Sequence, residues 1–208
     1  MKSKISRIRA FSLFVFFTAI LLALTGCLSQ NPPLKIAETD KPIKVVRAED
    51  LILTARFLDD ETLEAKFGDP DKGNPFLSDY YTIQFRRFIV FELSIENAGT
   101  APVMFELNRL EMQFGGKAMF AYNEFRINQY WEFKEDKDNV KGIYKARRER
   151  FVKQNVLPAS RTIPAPGELK GYAVFTGNTP EYGTATLYVP LFAPDGKTVH
   201  RFEVPFEF

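Results

Sequence analysis

The chain has almost none of the residues on which common catalytic and metal sites depend. Its 208 residues include one cysteine, one histidine and one tryptophan. A single cysteine excludes any disulfide within the chain. The single histidine, His200, lies between Val199 and Arg201 in an alternating segment, which indicates a strand residue and leaves no histidine cluster or histidine-based triad. We therefore expect no enzymatic activity, no cofactor and no metal.

Nucleotide-binding motifs are missing as well. There is no Walker-type glycine loop, no dinucleotide fingerprint and no repeat of solenoid period. The acidic segments 59–61 and 69–71 are candidates for loose calcium binding, although neither has the twelve-residue ligand spacing of an EF-hand. Paired carboxylates are the one catalytic chemistry left open.

Long apolar runs are missing except at the N-terminus. Residues 10–24 carry no charge and follow four basic residues, Lys2, Lys4, Arg7 and Arg9. This run is shorter than the roughly 20 apolar residues that a membrane-spanning helix needs. Residues 1–26 therefore have the organisation of a cleavable signal peptide.

The four residues Leu24-Thr25-Gly26-Cys27 resemble the lipobox of bacterial lipoproteins. The resemblance implies that Cys27 receives diacylglycerol, that cleavage occurs before it, and that the new amine is acylated. Two or three acyl chains hold a protein on a membrane almost irreversibly. The resemblance also favours the outer membrane, if the host has one, because Leu28 rather than aspartate follows the cysteine.

Removal of residues 1–26 changes the charge of the protein. The 182 residues that remain carry 24 basic and 26 acidic side chains, so nucleic acid is not an expected partner. Residues 27–44 are rich in polar residues and proline, which predicts a flexible tether. Residues 45–208 are enough for one domain with its own core.

Short alternating segments separated by turn residues predict an all-β domain. The clearest strand is 88–96, where Phe91, Leu93 and Ile95 share one face; a turn at 97–102 and a strand at 103–107 would complete a hairpin. Further predicted strands and one predicted turn follow the same pattern: 51–57, 110–114, 169–175, 184–189 and 199–206, with the turn at 195–196. Seven or more such strands predict an antiparallel β-sandwich.

Three segments resemble the immunoglobulin-like sandwich domains of bacterial surface and periplasmic lipoproteins of unknown function. They are residues 64–68, residues 91–99, and the sequence Pro166-Gly167-Glu168 followed by 171–175. The resemblance implies an immunoglobulin-like fold and brings no active site with it. The tryptophan between paired cysteines of antibody domains is absent.

Residues 122–157 depart from the sandwich pattern and are predicted to be an insertion. Near-helical spacing predicts a helix over 142–154 with a basic face. The candidate contact residues on this face are Lys141, Lys145, Arg147, Arg148, Arg150 and Lys153. They either meet an anionic membrane surface or an acidic partner, or form a solvated face neutralised by Glu135, Asp136 and Asp138.

Aromatic residues are concentrated in the first half of the same insertion. Tyr130 and Trp131 are the candidates for an exposed surface that stacks on a ligand such as a glycan. The alternative is that these rings pack the insertion against the sandwich, which suits side chains with a large apolar body and one polar atom.

The sequence thus predicts a membrane-anchored, extracytoplasmic lipoprotein that binds or assembles with an envelope protein, with residues 122–157 as the contact surface. A carboxylate-based hydrolase of envelope polymers and a purely structural envelope protein are the alternatives. The sequence separates these classes no further.

Overall fold

The computed structural model describes residues 34–69, 72–77, 88–138, 144–177 and 182–208. These residues form ten strands and three α-helices, and a short 3-10 helix, Leu107–Arg109, follows the fourth strand. The strands are β1 (Ile43–Ala48), β2 (Leu51–Leu58), β3 (Phe88–Asn97), β4 (Val103–Glu106), β5 (Glu111–Phe114), β6 (Lys117–Phe120), β7 (Ser160–Ile163), β8 (Gly167–Thr176), β9 (Thr184–Phe192) and β10 (Thr198–Glu207). The helices are α1 (Asp60–Phe67), α2 (Glu124–Asp138) and α3 (Lys145–Asn155).

Two antiparallel sheets pack against each other, which confirms the predicted all-β sandwich. The first sheet has the order β1-β2-β3-β8. In the second sheet, β9 pairs with β10 along one edge and with β4 and β5 along the other, while β7 and β6 extend the sheet beyond them. The neighbours β2-β3-β8 and β4-β9-β10 follow the A-B-E and C-F-G pairing of immunoglobulin domains.

The main core lies between the sheets and is built from alternate residues of each strand. In β3, Ile89, Phe91, Leu93 and Ile95 point inward and are fully buried. Phe91 meets Phe206 of β10 with ring centroids 5.0 Å apart, so the two sheets interlock through aromatic rings. The prediction that one face of β3 is buried and the other solvated holds for its second half, from Glu92 onward.

A second core lies on the outer face of the first sheet, where the three helices pack. Outward-facing residues of β2, β3 and β8 form its floor, and apolar residues of the helices cover them. The principal members are Leu58, Phe88, Val90 and Val174 from the sheet, and Leu63, Phe67, Ile127, Trp131 and Val152 from the helices. The first residues of β3 are therefore buried on both faces.

The insertion is joined to the edge of the first sheet at both of its ends. Tyr122 forms an isolated antiparallel bridge with Val174 of β8, and Val156 forms a parallel bridge with Tyr172 of the same strand. Hydrogen bonds of 2.7 Å from the Tyr122 amide and 2.9 Å from the Leu157 amide reach β8 carbonyls. These bridges occupy a strand edge that would otherwise expose its backbone groups.

The prediction of a hairpin over 88–107 is wrong. Residues 97–102 do form a turn, in which the side-chain amide of Asn97 donates a 2.9 Å hydrogen bond to the Ala101 carbonyl. However, β3 belongs to the first sheet and β4 to the second. The reason is that both edges of β3 are already occupied, by β2 and by β8, so the returning chain crosses to the other sheet.

Other predictions are confirmed or corrected in detail. The turn at Asp195-Gly196 joins β9 to β10, and the helix predicted over 142–154 is α3. Among the described residues, the domain begins at Leu34 rather than at Val45, because Leu34 is buried in the main core and the Ala37 amide donates to the Glu207 carbonyl at 2.8 Å. Residues 34–44 are therefore part of the domain and not of the tether. The helices α1 and α2 were not predicted.

Replacing Ile127 by alanine tests whether the second core holds the insertion. Ile127 is fully buried in α2, and such a truncation costs about 2–5 kcal/mol. We expect a lower midpoint of denaturant unfolding and a red shift of the emission of Trp131, the only tryptophan. Phe125→Ala, on the exposed side of the same helix, is the control and should change stability by less than about 0.5 kcal/mol. Equal stability of the two variants would contradict the second core.

Candidate functional site

The predicted basic face of α3 is only partly a surface. Arg148 is 4% exposed and lies in the second core, where its guanidinium carbon is 5.1 Å from the centroid of the Trp131 ring. Burial lowers the pKa of Arg148, and the neighbouring charge of Glu149 partly offsets this effect. Arg148 therefore fixes the packing of the insertion and is removed from the set of contact residues.

The other basic residues of α3 differ in what they contact. Lys145 makes ion pairs with Glu132 at 2.9 Å and with Glu149 at 3.9 Å. Arg147 is half-buried and reaches the carbonyl of Phe67 at 3.4 Å, at the C-terminal end of α1. Three of the predicted contact residues, Lys145, Arg150 and Lys153, are exposed toward solvent. Lys141 and Cys27 lie outside the described residues.

The aromatic candidates Tyr130 and Trp131 belong to the second core. Trp131 is buried and its indole nitrogen donates to the Pro75 carbonyl at 2.9 Å, while Tyr130 is half-buried against Phe88 at 4.5 Å. Packing, rather than an exposed stacking surface, is thus the correct interpretation of this pair. The reason is that Ile127 and Trp131 are one helical turn apart and turn the same side of α2 toward the sheet.

The exposed aromatic residues of the insertion are different ones. Phe125 is 70% exposed and Phe133 is 57% exposed, on the side of α2 that faces away from the sheet. Phe120, at the end of β6, is also largely exposed. The buried side of α2 could have been identified from the sequence, because Ile127, Tyr130 and Trp131 have the i, i+3, i+4 spacing of one helix face. Phe125 does not share that spacing.

Phe120 and Phe125 each line one of two open hollows in the surface, and the two hollows meet. One hollow, of about 570 Å³, lies between β6, β7 and the start of α2; the other, of about 510 Å³, lies between α2, α3 and the segment that follows α3. Both are lined by Asn123 and Ala159, so they form one continuous depression, which we call the α2 groove.

The α2 groove combines apolar walls with polar groups of both signs. Phe125 and Lys153 line the hollow beside α3, and Phe120 and Arg126 line the other. Asn123 begins α2 by accepting a 2.9 Å hydrogen bond from the Arg126 amide. The remaining polar side chains of the lining are Glu106, Asn108, Glu124, Asn128 and Ser160.

The acidic segment 59–61 has a structural role, and Pro70 and Asp71 of the segment 69–71 lie outside the described residues. Asp59 caps α1, since its carboxylate accepts a hydrogen bond from the Thr62 amide at 2.9 Å, and Asp60 and Glu61 occupy the first turn, where negative charge stabilises a helix. The Asp69 carbonyl accepts from the Lys72 amide. Among the residues that the structure describes, no group of His, Cys, Asp or Glu has the arrangement of a metal site.

His200 is a half-buried strand residue in β10. Its ring lies 4.5 Å from that of Phe202, next to an irregularity in the pairing of β10 with β9. Its position in β10 agrees with the strand role predicted for it. Within the described ranges, no helix is both long and apolar enough to cross a membrane.

The N-terminal segment is fastened to the last strand at one end of the sandwich. The Asp40 carboxylate accepts hydrogen bonds from the Glu207 amide at 2.9 Å, from the Lys41 amide at 2.8 Å, and from the Lys44 ammonium group. Burial alone would raise the pKa of Asp40, but the bonds from Lys44, Glu207 and Lys41 outweigh it and the pKa is lowered. Asp40 therefore fixes residues 34–44 to β10 in its ionised form.

No family model matches the chain, and no curated protein matches it. Three solved structures are similar in outline. The yjhA protein of Bacillus subtilis is 9% identical, with a TM-score of 0.37, over 78% of this chain and 93% of that one. A functionally unknown protein from Listeria monocytogenes EGD-e is 14% identical, with a TM-score of 0.40, over 79% and 80%.

The third structure is ycdA of Bacillus subtilis, described as a "putative lipoprotein". It is 11% identical, with a TM-score of 0.39, and the similarity covers 79% of this chain. This chain spans 38% of the length of ycdA. At such identities and scores, these three proteins carry no argument about the function of the chain.

The Asp40 bonds predict a pH-dependent contribution to stability. Because the pKa of Asp40 is lowered in the folded state, its contribution is present above the unfolded pKa of about 3.9 and is lost as the pH falls through the folded pKa. We expect Asp40→Asn to lower the midpoint of urea unfolding at pH 7, and the difference from wild type to shrink below about pH 4. Asp195→Asn, at an exposed turn, controls for the change of charge. A difference that stays constant down to pH 2 would contradict this role.

Proposed function

We propose that the protein is a lipid-anchored, non-catalytic binding component of the bacterial cell envelope that meets a protein partner at the α2 groove. The observation that carries the proposal is Phe125, a large apolar side chain that is 70% exposed on the wall of an open groove. An aromatic residue that becomes buried on binding is typical of the few residues that supply most of the binding energy of an interface.

The partner that fits this groove is a protein segment that carries apolar and acidic side chains. Phe120 and Phe125 offer apolar contact on the two walls. Arg126 and Lys153 place one cation in each hollow, beside the acids Glu124 and Glu106, of which Glu106 is already paired with Arg109 at 3.6 Å. Arg150, also exposed, adds a third cation on the neighbouring helix. Pairing with acidic residues at the rim would orient the partner and speed its association.

The second part of the proposal is the anchor. The sequence of residues 1–27 supports a cleaved signal peptide and acylation of Cys27. A domain held on a membrane by lipid meets other envelope proteins at high local concentration, so even a contact of modest affinity is maintained. The outer membrane is the proposed location if the host has one.

Photocrosslinking at Phe125 tests the partner surface. A photoreactive phenylalanine analogue is placed at position 125 in the natively expressed lipoprotein, and at position 199 in a control. Val199 is 49% exposed and belongs to β10, away from the groove. We expect a defined adduct with one envelope protein from position 125 alone.

The purified partner then permits a quantitative test. Phe125→Ala should weaken binding by roughly 30-fold, which corresponds to a hot-spot loss of about 2 kcal/mol. Lys153→Glu should weaken it in a salt-dependent manner, whereas Lys197→Glu, at an exposed turn, should not. Equal adducts from positions 125 and 199, or unchanged affinity of Phe125→Ala, would reject the groove as the contact surface.

Cys27→Ser tests the anchor independently of the partner. We expect wild type to stay with membranes through carbonate and high-salt washing, and its mass to show cleavage before Cys27 together with acyl chains. The Cys27→Ser protein should lack the acyl chains and retain residues 1–26. Release of wild type by these washes would contradict lipid anchoring. Density fractionation of the membranes then decides between the inner and the outer membrane.

A further inference from the structure

The N-terminal segment of the domain, residues 34–44, joins the sandwich at one of its two ends. Leu34 is buried in the main core, and Ala37 is hydrogen-bonded to Glu207 near the C-terminal end of β10. Phe208 and Gly183 exchange backbone hydrogen bonds of 2.9 and 3.0 Å at the same place. We call the part of the surface around these residues, together with the neighbouring β5–β6 turn, the tether end.

The covalent chain limits how far this end can lie from a lipid on Cys27. Seven residue steps separate Cys27 from Leu34. At about 3.3–3.6 Å per residue, a fully extended chain of that length spans at most about 25 Å. A ten-residue strand such as β10 extends about 33 Å from the tether end to the far end of the sandwich. The tether therefore cannot carry the anchor to the far end of the domain.

The tether end carries the most exposed large apolar side chain among the residues described. Tyr182 is 79% exposed and directly precedes Gly183. Phe114, at the end of β5, lies beside Gly183, with its ring 3.8 Å from the position that a side-chain carbon on Gly183 would take. Tyrosine is favoured at membrane surfaces because its ring suits the apolar side and its hydroxyl the aqueous side.

Three exposed lysines belong to the same end of the domain. Lys35 and Lys41 belong to the segment that enters the domain, and Lys117 is paired with Phe114 across the β5–β6 turn. Among the residues that the structure describes there, Glu38 and Glu207 are exposed acids, while the carboxylate of Asp40 is engaged by Lys44; Glu181, next to Tyr182 in the sequence, lies outside the described residues. Lysines near an anionic membrane each add about 1 kcal/mol to binding.

We propose that the tether end faces the bilayer, with Tyr182 in the interfacial layer and Lys35, Lys41 and Lys117 at the lipid head groups. This inference rests on the lipid anchor of the proposed function, and it adds an orientation that the anchor alone does not give. The acyl chains hold the protein at the membrane, and the tether end determines which surfaces remain available to a partner.

The orientation can be measured on the lipidated full-length protein in vesicles of phosphatidylethanolamine and phosphatidylglycerol. Cys27 is the only cysteine and its sulfur is consumed by the lipid, so a single introduced cysteine can be labelled with an environment-sensitive fluorophore. The labelled variants are Tyr182→Cys and Lys117→Cys, and the control is Lys197→Cys at the far end, in the β9–β10 turn.

Quenching by lipids that carry a nitroxide near the head group is expected to be at least twofold stronger at positions 182 and 117 than at 197. In the protein labelled at Tyr182→Cys, the combined substitutions Lys35→Glu, Lys41→Glu and Lys117→Glu should remove part of this difference, and vesicles of neutral phosphatidylcholine should remove the same part without these substitutions. Equal quenching at 182 and 197 in protein that floats with the vesicles would overturn the orientation and leave the anchor intact. Protein that does not float would overturn the anchor, and the orientation with it. Quenching that does not respond to charge reversal would overturn the role of the lysines.

Discussion

The burial of β3 on both of its faces is the constraint on which the rest of the structure depends. At the start of this strand, Ile89 and Phe91 fill the main core while Phe88 and Val90 fill the second. Each such side chain contributes about 1.5–3 kcal/mol when removed from water, so neither face can be left open. The second sheet covers one face and the helices cover the other. The insertion is therefore an integral layer of the domain.

The same constraint decides which residues of the insertion can serve a partner. A helix that covers a sheet commits one side to packing, and in α2 and α3 that side includes Trp131, Arg148 and Val152. Arg148 shows that a basic residue can be part of the packed side, because its long side chain lies against an aromatic ring. What remains for binding is the outer side of α2, the exposed end of α3 and the groove between them and the sheet.

Much of the sandwich could be predicted because its signals are local. The alternation after Phe91, the Asp195-Gly196 turn and the helical spacing of α3 each specify their own element. The prediction of a hairpin over 88–107 is wrong because turn residues specify that a chain reverses and not which sheet it joins. That choice depends on β8, which occupies the edge of β3 and lies some 70 residues further along the chain.

The contact surface was harder to predict because burial depends on which side of a helix faces the sheet. Six basic residues in one segment indicate a basic face, yet Arg148 is buried and Lys145 forms ion pairs with Glu132 and Glu149.

For Asp59 a local signal existed, since an aspartate three residues before a helical amide is a typical N-cap. It was not recognised because α1 itself was not predicted, so an acidic cap was interpreted as a loop with calcium ligands.

The two proposed surfaces, the α2 groove and the tether end, are compatible with one orientation of the domain on a membrane. Phe57 of β2 meets Phe208 at the tether end with ring centroids 5.2 Å apart, and Leu58, the next residue, belongs to the second core. Phe88 and Val174 lie in the same half of the first sheet, since Phe88 pairs with Thr176 and Val90 with Val174. The helices thus cover the half of the sheet that is nearer to the tether end. The lining residue Phe120 pairs with Glu111, which pairs with Tyr188 in the middle of β9, so if the tether end faces the bilayer the α2 groove is held above the membrane surface, about halfway along the sandwich. A partner anchored in the same membrane could then occupy the groove while both proteins keep their anchors, and a short tether would favour such a partner over one that diffuses freely.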